Sequence, residues 1–103
     1  MFIINALGWF FSGVFLVKVI PHLIHGVSGD KFPSPFDKPY GHKLSSPTKN
    51  VVWAFINLSI SAIIFYFNKS SYNVIYAILM LIGAFLMAIY LSRYFVNKDK
   101  EQN

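Results

Sequence analysis

Three long apolar runs, separated by two polar stretches, set the plan of this chain. The first begins at Phe2 and carries no charge as far as Val17; it continues past Lys18 to about Ile24. At ~1.5 Å per residue, residues 2–24 reach roughly 34 Å, enough to cross a hydrocarbon layer with some tilt. The second run, Val51 to Phe67, is preceded by a turn from Pro47 to Asn50, which gives a span over about 48–67. The third covers about 72–95. The pattern predicts an all-α membrane protein: one integral domain over 1–103 with three transmembrane helices. A long ordered loop over 25–47 joins helices one and two, a tight hairpin joins two and three, and a polar tail fills 96–103.

Local signals place the ends. Pro21 removes a helical N–H and predicts a kink near Val17–Pro21. Ser46-Pro47 reads as an N-cap followed by the proline favoured at the first helical position. Asn68-Lys-Ser-Ser71 reads as the short polar turn. The loop is dense in turn formers, with Gly26, Gly29, Pro33, Pro35, Pro39 and Gly41. Yet Phe32, Phe36, Tyr40 and Leu44 recur every four residues through it. A disordered linker rarely carries such aromatics, so the loop is expected to lie ordered against the membrane face. Pro33-Ser-Pro35 is also a minimal proline-rich ligand of the kind SH3-type domains read.

Small and polar positions repeat along the helices. Gly8 and Ser12 form one small-xxx-small step, and Ala84, Ala88 and Ser92 form another, each suited to close helix packing. In the second span Asn50, Ala54, Asn57, Ser61 and Asn68 fall within about 40° of one another at ~100° per residue. Hydrogen-bonded helix association is the preferred use of that stripe, ahead of pore lining.

Composition supports the bilayer as solvent. The chain is 55% hydrophobic and 13% charged, with mean hydropathy +0.52, whereas a soluble domain carries about 25% charged residues. The absence of cysteine excludes disulfides, thiolate zinc sites and iron–sulfur clusters. Without a basic n-region or a small-residue cleavage site, the first run reads as a retained helix, not a signal peptide.

Charge then orients the chain. The net charge of +5 would suggest nucleic acid in a soluble protein, but here the basic residues orient helices and meet anionic headgroups. With three spans, Lys31, Lys38, Lys43, Lys49, Arg93, Lys98 and Lys100 share one side, and Lys69 lies on the other. The positive-inside rule places the N-terminus outside and the loop and C-terminus in the cytoplasm of a bacterial-type inner membrane.

Candidate chemistry gathers at that cytoplasmic boundary. Lys18, His22 and His25 stand at i, i+4 and i+7 and share one face of a regular helix. They serve as interfacial anchors, or they form an anion or headgroup site facing the start of the second helix. In that site the N–H groups after Ser46, the side chains of His42, Lys43 and Lys49, and the amides of Asn50 and Asn57 would contribute. A weaker alternative is a metal or haem site on His22 and His25 with Asp30, for which no Cys and no H-E-x-x-H motif is present. A proton relay through the histidines would need a partner group that the chain does not visibly supply. Trp53 reads as an interfacial anchor.

No acidic residue lies in any span, and no nucleophile elbow or phosphate loop occurs, so no catalytic residue and no cofactor is expected. Three helices cannot enclose a pore, and transport would need a homo-oligomer or a larger membrane-protein complex. The layout is similar to that of a three-span phage holin, although the long Pro/aromatic loop departs from it. The sequence reads best as a small non-enzymatic membrane subunit, or lipid-headgroup and anion binder, acting through the loop. An oligomeric channel, transporter component or holin-like pore is the alternative. Its expected partners are membrane lipids and other membrane protein, with no nucleic acid.

Overall fold

The structure is a computed structural model that describes residues 2–96. The charged tail expected after Val96 lies outside the described residues. Helix α1 spans Phe2–Val27, α2 spans Pro47–Asn68 and α3 spans Val74–Tyr94. Each is long and apolar enough to cross a membrane. Two short strands, β1 at Phe32–Pro33 and β2 at Leu44–Ser45, pair antiparallel inside the loop, with Phe32 opposite Ser45 and Pro33 opposite Leu44.

Helix ends follow local chemistry. α1 runs on through Pro21 and ends three residues beyond the expected Ile24. Its stop is a Schellman motif: Asp30 N donates to His25 O and Gly29 N to Gly26 O, with Gly29 at φ +78°. That left-handed backbone suits glycine, which carries no Cβ. Ser46 caps α2 as expected, its hydroxyl accepting from Lys49 N at 3.1 Å. A single 3-10 turn, Lys69–Ser71, follows α2. α3 starts after Asn73, whose carboxamide oxygen accepts from Tyr76 N at 2.9 Å. The expected start at Tyr72 overlooked that cap.

α1 is the middle helix. α2 packs along it antiparallel and α3 parallel, while α2 and α3 make at most marginal contact with each other. The tight hairpin expected between the second and third helices is therefore a short connection between helices that dock separately on α1. Two faces of α1 explain this. A Cβ on Gly8 would meet the Asn68 side chain of α2, and Ser61 Oγ of α2 donates to Ser12 O at 2.8 Å. On the other face, a Cβ on Gly13 would lie 2.1 Å from Met80 O of α3, and one on Gly83 would lie 2.3 Å from Phe10 O. α1 and α3 thus touch backbone to backbone. Gly83 makes this approach, whereas Ala88 and Ser92 of the expected small-residue stripe are exposed.

The interior is rich in polar residues and the exterior is apolar. The buried residues of α2 are Asn50, Ala54, Asn57 and Ser61, four of the five positions of the predicted stripe. Outward faces carry Phe55, Ile63, Leu81 and Phe85, all exposed. A soluble fold reverses this distribution, and it suits a chain whose solvent is hydrocarbon. At the turn end, Trp9 Nε1 donates to Ser71 Oγ at 3.0 Å and Ser71 Oγ to Asn68 O at 2.7 Å, tying α1 to the α2–α3 connection.

Candidate functional site at the loop end of the helices

The loop folds as a cap on the helix ends, and Asn50 pins it there. Asn50 is fully buried in the first turn of α2. Its Nδ2 donates to Phe32 O at 2.8 Å, Ser46 O at 3.1 Å and Ser45 O at 3.3 Å. One amide group thereby ties β1, β2 and the α2 cap together. With Nδ2 committed to carbonyls, Oδ1 faces His22, whose Nδ1 lies 2.8 Å away. An amide oxygen only accepts, so His22 Nδ1 carries the proton and Nε2 is the ring's other, unprotonated nitrogen in the neutral form.

Aromatic packing completes the cap. Phe32 stacks on His25 at 4.3 Å between centroids and leans on Phe95 at 4.5 Å. The Tyr94 hydroxyl, at the end of α3, donates to Gly41 O at 2.7 Å, and the His42 ring stacks against Tyr94. Phe36 N donates to Ser34 Oγ, and the Ser34 and Ser45 hydroxyls share a hydrogen bond. Asp37 takes hydrogen bonds from Ser45 and from Lys49, the latter at 2.9 Å. The Ser45 hydroxyl first, and the Lys49 ammonium second, hold the Asp37 carboxyl below its ordinary pKa. Pro33 and Ser34 are fully buried, so Pro33-Ser-Pro35 is not displayed as a free proline-rich ligand.

This architecture sorts the predicted site residues into groups. Lys18 and His22 line a common cavity of about 210 Å3 beneath the loop, with Ser34, Trp53, Tyr90 and Tyr94 among its walls. His25 turns away to a separate apolar groove between the C-terminal halves of α1 and α3, where Val17, Pro21, Ala88 and Ser92 are neighbours. Phe95 lines both, and the Phe32 ring packs against both histidine rings, 5.4 Å from His22 and 4.3 Å from His25. His25 Nδ1 lies 3.6 Å from Asp30 Oδ2, while His22 is bonded to Asn50; the two histidines and Asp30 do not converge. His42 and Lys43 are exposed on the cap, and Lys49 is drawn to Asp37. Asn57 lies deeper in the α1–α2 interface, with Nδ2 on Trp53 O and a buried Oδ1 that has no partner among the described residues.

The start of α2 is largely satisfied from within. Pro47 has no N–H, Ser46 Oγ takes the N–H of Lys49, and Ser46 O takes that of Asn50. Ser46 therefore serves the helix, and Asn50 serves the cap.

Lys18 is different. Among the described residues its ammonium has no carboxylate and no hydrogen-bond acceptor; its near contacts are the Phe15 ring at 4.9 Å and the Trp53 ring at 5.8 Å. Trp53, Tyr90 and Tyr94 of the wall were not assigned to a site from the sequence. Tyr residues spaced one turn apart at a span's end, with a Trp level with Lys18 across the helix pair, were the available signal.

Comparison with protein-family models, curated proteins and solved structures finds no match for this chain.

Proposed function

We propose that the chain is a small non-enzymatic, multi-pass protein of a bacterial-type inner membrane that engages anionic phospholipid headgroups through its folded loop, as an accessory subunit of a membrane assembly. Its N-terminus is outside, and its loop and C-terminus are cytoplasmic, following the basic residues. One observation carries the reading: the loop is fixed on the helix ends by Asn50, with Lys31, Lys38 and Lys43 left exposed around it. A basic surface held at the membrane boundary attracts anionic lipid by about 1 kcal/mol per Lys or Arg near the surface. Rigidity adds to this, because no loop ordering is needed on binding.

The test is isolation of the protein in mild detergent, with identification of the lipids and proteins that accompany it. Enrichment of anionic over zwitterionic phospholipid is expected, falling markedly when Lys31, Lys38 and Lys43 are replaced by Gln together. Equal retention of both lipid classes by the native chain would overturn the reading. Orientation is checked by labelling Tyr40→Cys and Ser70→Cys, both at exposed positions. Labelling of Tyr40→Cys from outside intact cells would reverse the topology.

A further inference from the structure

We infer that the cavity beneath the loop binds one phosphate-type oxyanion, held by the Lys18 ammonium with the His22 ring and the Trp53 indole beside it. This deepens the headgroup reading and rests on it for where the ligand comes from.

The first ground is the unpaired charge. Lys18 is partly buried, and it contacts rings. A cation withdrawn from water needs a counter-charge or several hydrogen bonds. The described loop acids are committed elsewhere, Asp30 beside His25 and Asp37 to Lys49. No carboxylate among the described residues lines the cavity. Among the described residues, the compensating negative charge is not supplied by the chain.

The second ground is the set of polar groups around that charge. His22 is 5% exposed, and its Nδ1 is fixed on Asn50, which leaves Nε2 without a hydrogen bond among the described residues. The Trp53 indole N–H also makes none there, in contrast to Trp9, whose N–H is bonded to Ser71. An indole donor without an acceptor and an unpartnered ring nitrogen, beside a cation, call for an anion that can both accept and donate. Phosphate oxygens suit His22 in either protonation state. An ionised oxygen accepts from the imidazolium Nε2–H, and a P–OH donates to the neutral Nε2. Halide and carboxylate anions at neutral pH offer only the first. Arrangement matters as well as inventory: Lys18, His22 and Trp53 come from two packed helices and not from a surface loop.

The third ground is size and place. About 210 Å3 is below the ~300–1,000 Å3 of sites that hold drug-sized ligands, yet it accommodates a phosphate with a small attached group. The floor is helix and the roof is loop. Under the proposed function the loop lies at the membrane boundary, and the cavity sits directly beneath it.

Trp53 makes the test direct, because the chain holds two tryptophans and Trp9 is at the opposite end of the bundle. The purified full chain is titrated in detergent with inorganic phosphate, and separately with short-chain phosphatidylglycerol and phosphatidylcholine, while tryptophan fluorescence is followed. A saturable change is expected that disappears in Trp53→Phe. Its midpoint should move at least tenfold in Lys18→Gln and be largely restored in Lys18→Arg. Response to phosphatidylglycerol without response to inorganic phosphate assigns a lipid headgroup; response to inorganic phosphate assigns the free anion. No saturable change with any of the three, or one unaltered in Lys18→Gln of native helicity, overturns the inference. Replacing Lys31, Lys38 and Lys43 by Gln separates the two readings. A surviving Trp53 response without anionic-lipid enrichment in the native chain sinks the headgroup function and keeps the cavity site. Enrichment without a Trp53 response does the reverse.

Discussion

His22 Nδ1 donates to Asn50 Oδ1 across 2.8 Å, joining the last turns of α1 to the first turn of α2 beneath a loop that the same Asn50 ties down through three carbonyls. Both residues are buried, so neither is resolvated when its partner is lost. An unmet buried donor or acceptor costs roughly 1–3 kcal/mol.

Asn50→Leu should accordingly destabilise the protein by roughly 2–4 kcal/mol, summed over the stranded groups. The loss should concentrate in the cap. Hydrogen exchange should accelerate across residues 30–46, with the middle of α3 little changed. Uniform acceleration through all three helices would show that Asn50 holds the bundle and not the cap.

The glycine contact makes a second prediction. Gly13→Ala and Gly83→Ala each place a methyl within 2.5 Å of a backbone oxygen on the facing helix. Overpacking of this kind costs about 1–3 kcal/mol, and α3 should detach from α1 before α2 does. Trapping by a short bismaleimide between cysteines at Phe2 and Tyr76, whose rings lie 5.8 Å apart, reports on this. Gly29→Ala is the contrasting case, strained by φ +78° but with open space around its Cβ. It should loosen the end of α1 and leave the Phe2–Tyr76 trap intact.

Asp37 gives the loop a dependence on pH. Its carboxyl is held below the ordinary carboxylate value by the Ser45 hydroxyl and then by the Lys49 ammonium. A folded-state pKa depressed in this way stabilises above the unfolded value near pH ~4, and the contribution is lost as pH falls through the folded value. The contribution of Asp37 should therefore be constant between about pH 5 and 8 and be lost only in stronger acid. Asp37→Asn should abolish that acid response. Because the Lys49 side chain is half exposed, its share should weaken in high salt. An acid transition that persists in Asp37→Asn would assign it to another group.

Tyr94→Phe removes the hydroxyl that reaches Gly41 O. The expected cost is about 1 kcal/mol, seen as faster exchange around residues 39–43 with the α1–α3 contact preserved. Unchanged exchange there would mean that ring packing alone holds α3 to the cap.

The helices were legible in the sequence because long apolar runs have few alternative folds and because Ser46-Pro47 is a strong start signal. The Asn50–Ala54–Asn57–Ser61 stripe was legible for the same reason: in an apolar helix, polar residues on one face seek a partner. Three features were not legible. The two-residue strands leave no period to read, and proline at position 33 argues against a strand. The position of α1 between its neighbours depends on Gly13 and Gly83, single residues with no repeat around them. The separation of His25 from His22 depends on Phe32, which the loop inserts from seven positions beyond His25. Helical spacing put Lys18, His22 and His25 together on one face, but a face is wide enough for an aromatic ring to divide it.

The place of α1 also fixes an order of assembly. The segment both other helices need is the first of the three in the chain: its Ser12 and His22 await α2, and its Gly13 awaits α3. α2 and α3 then dock on separate faces of α1, with little direct contact between them. A break in the Lys69–Ser71 turn therefore severs no helix interface, and a chain made in two pieces, 1–69 and 70–103, should reassemble in the bilayer. Two pieces divided between α1 and α2 would lose the cap as well.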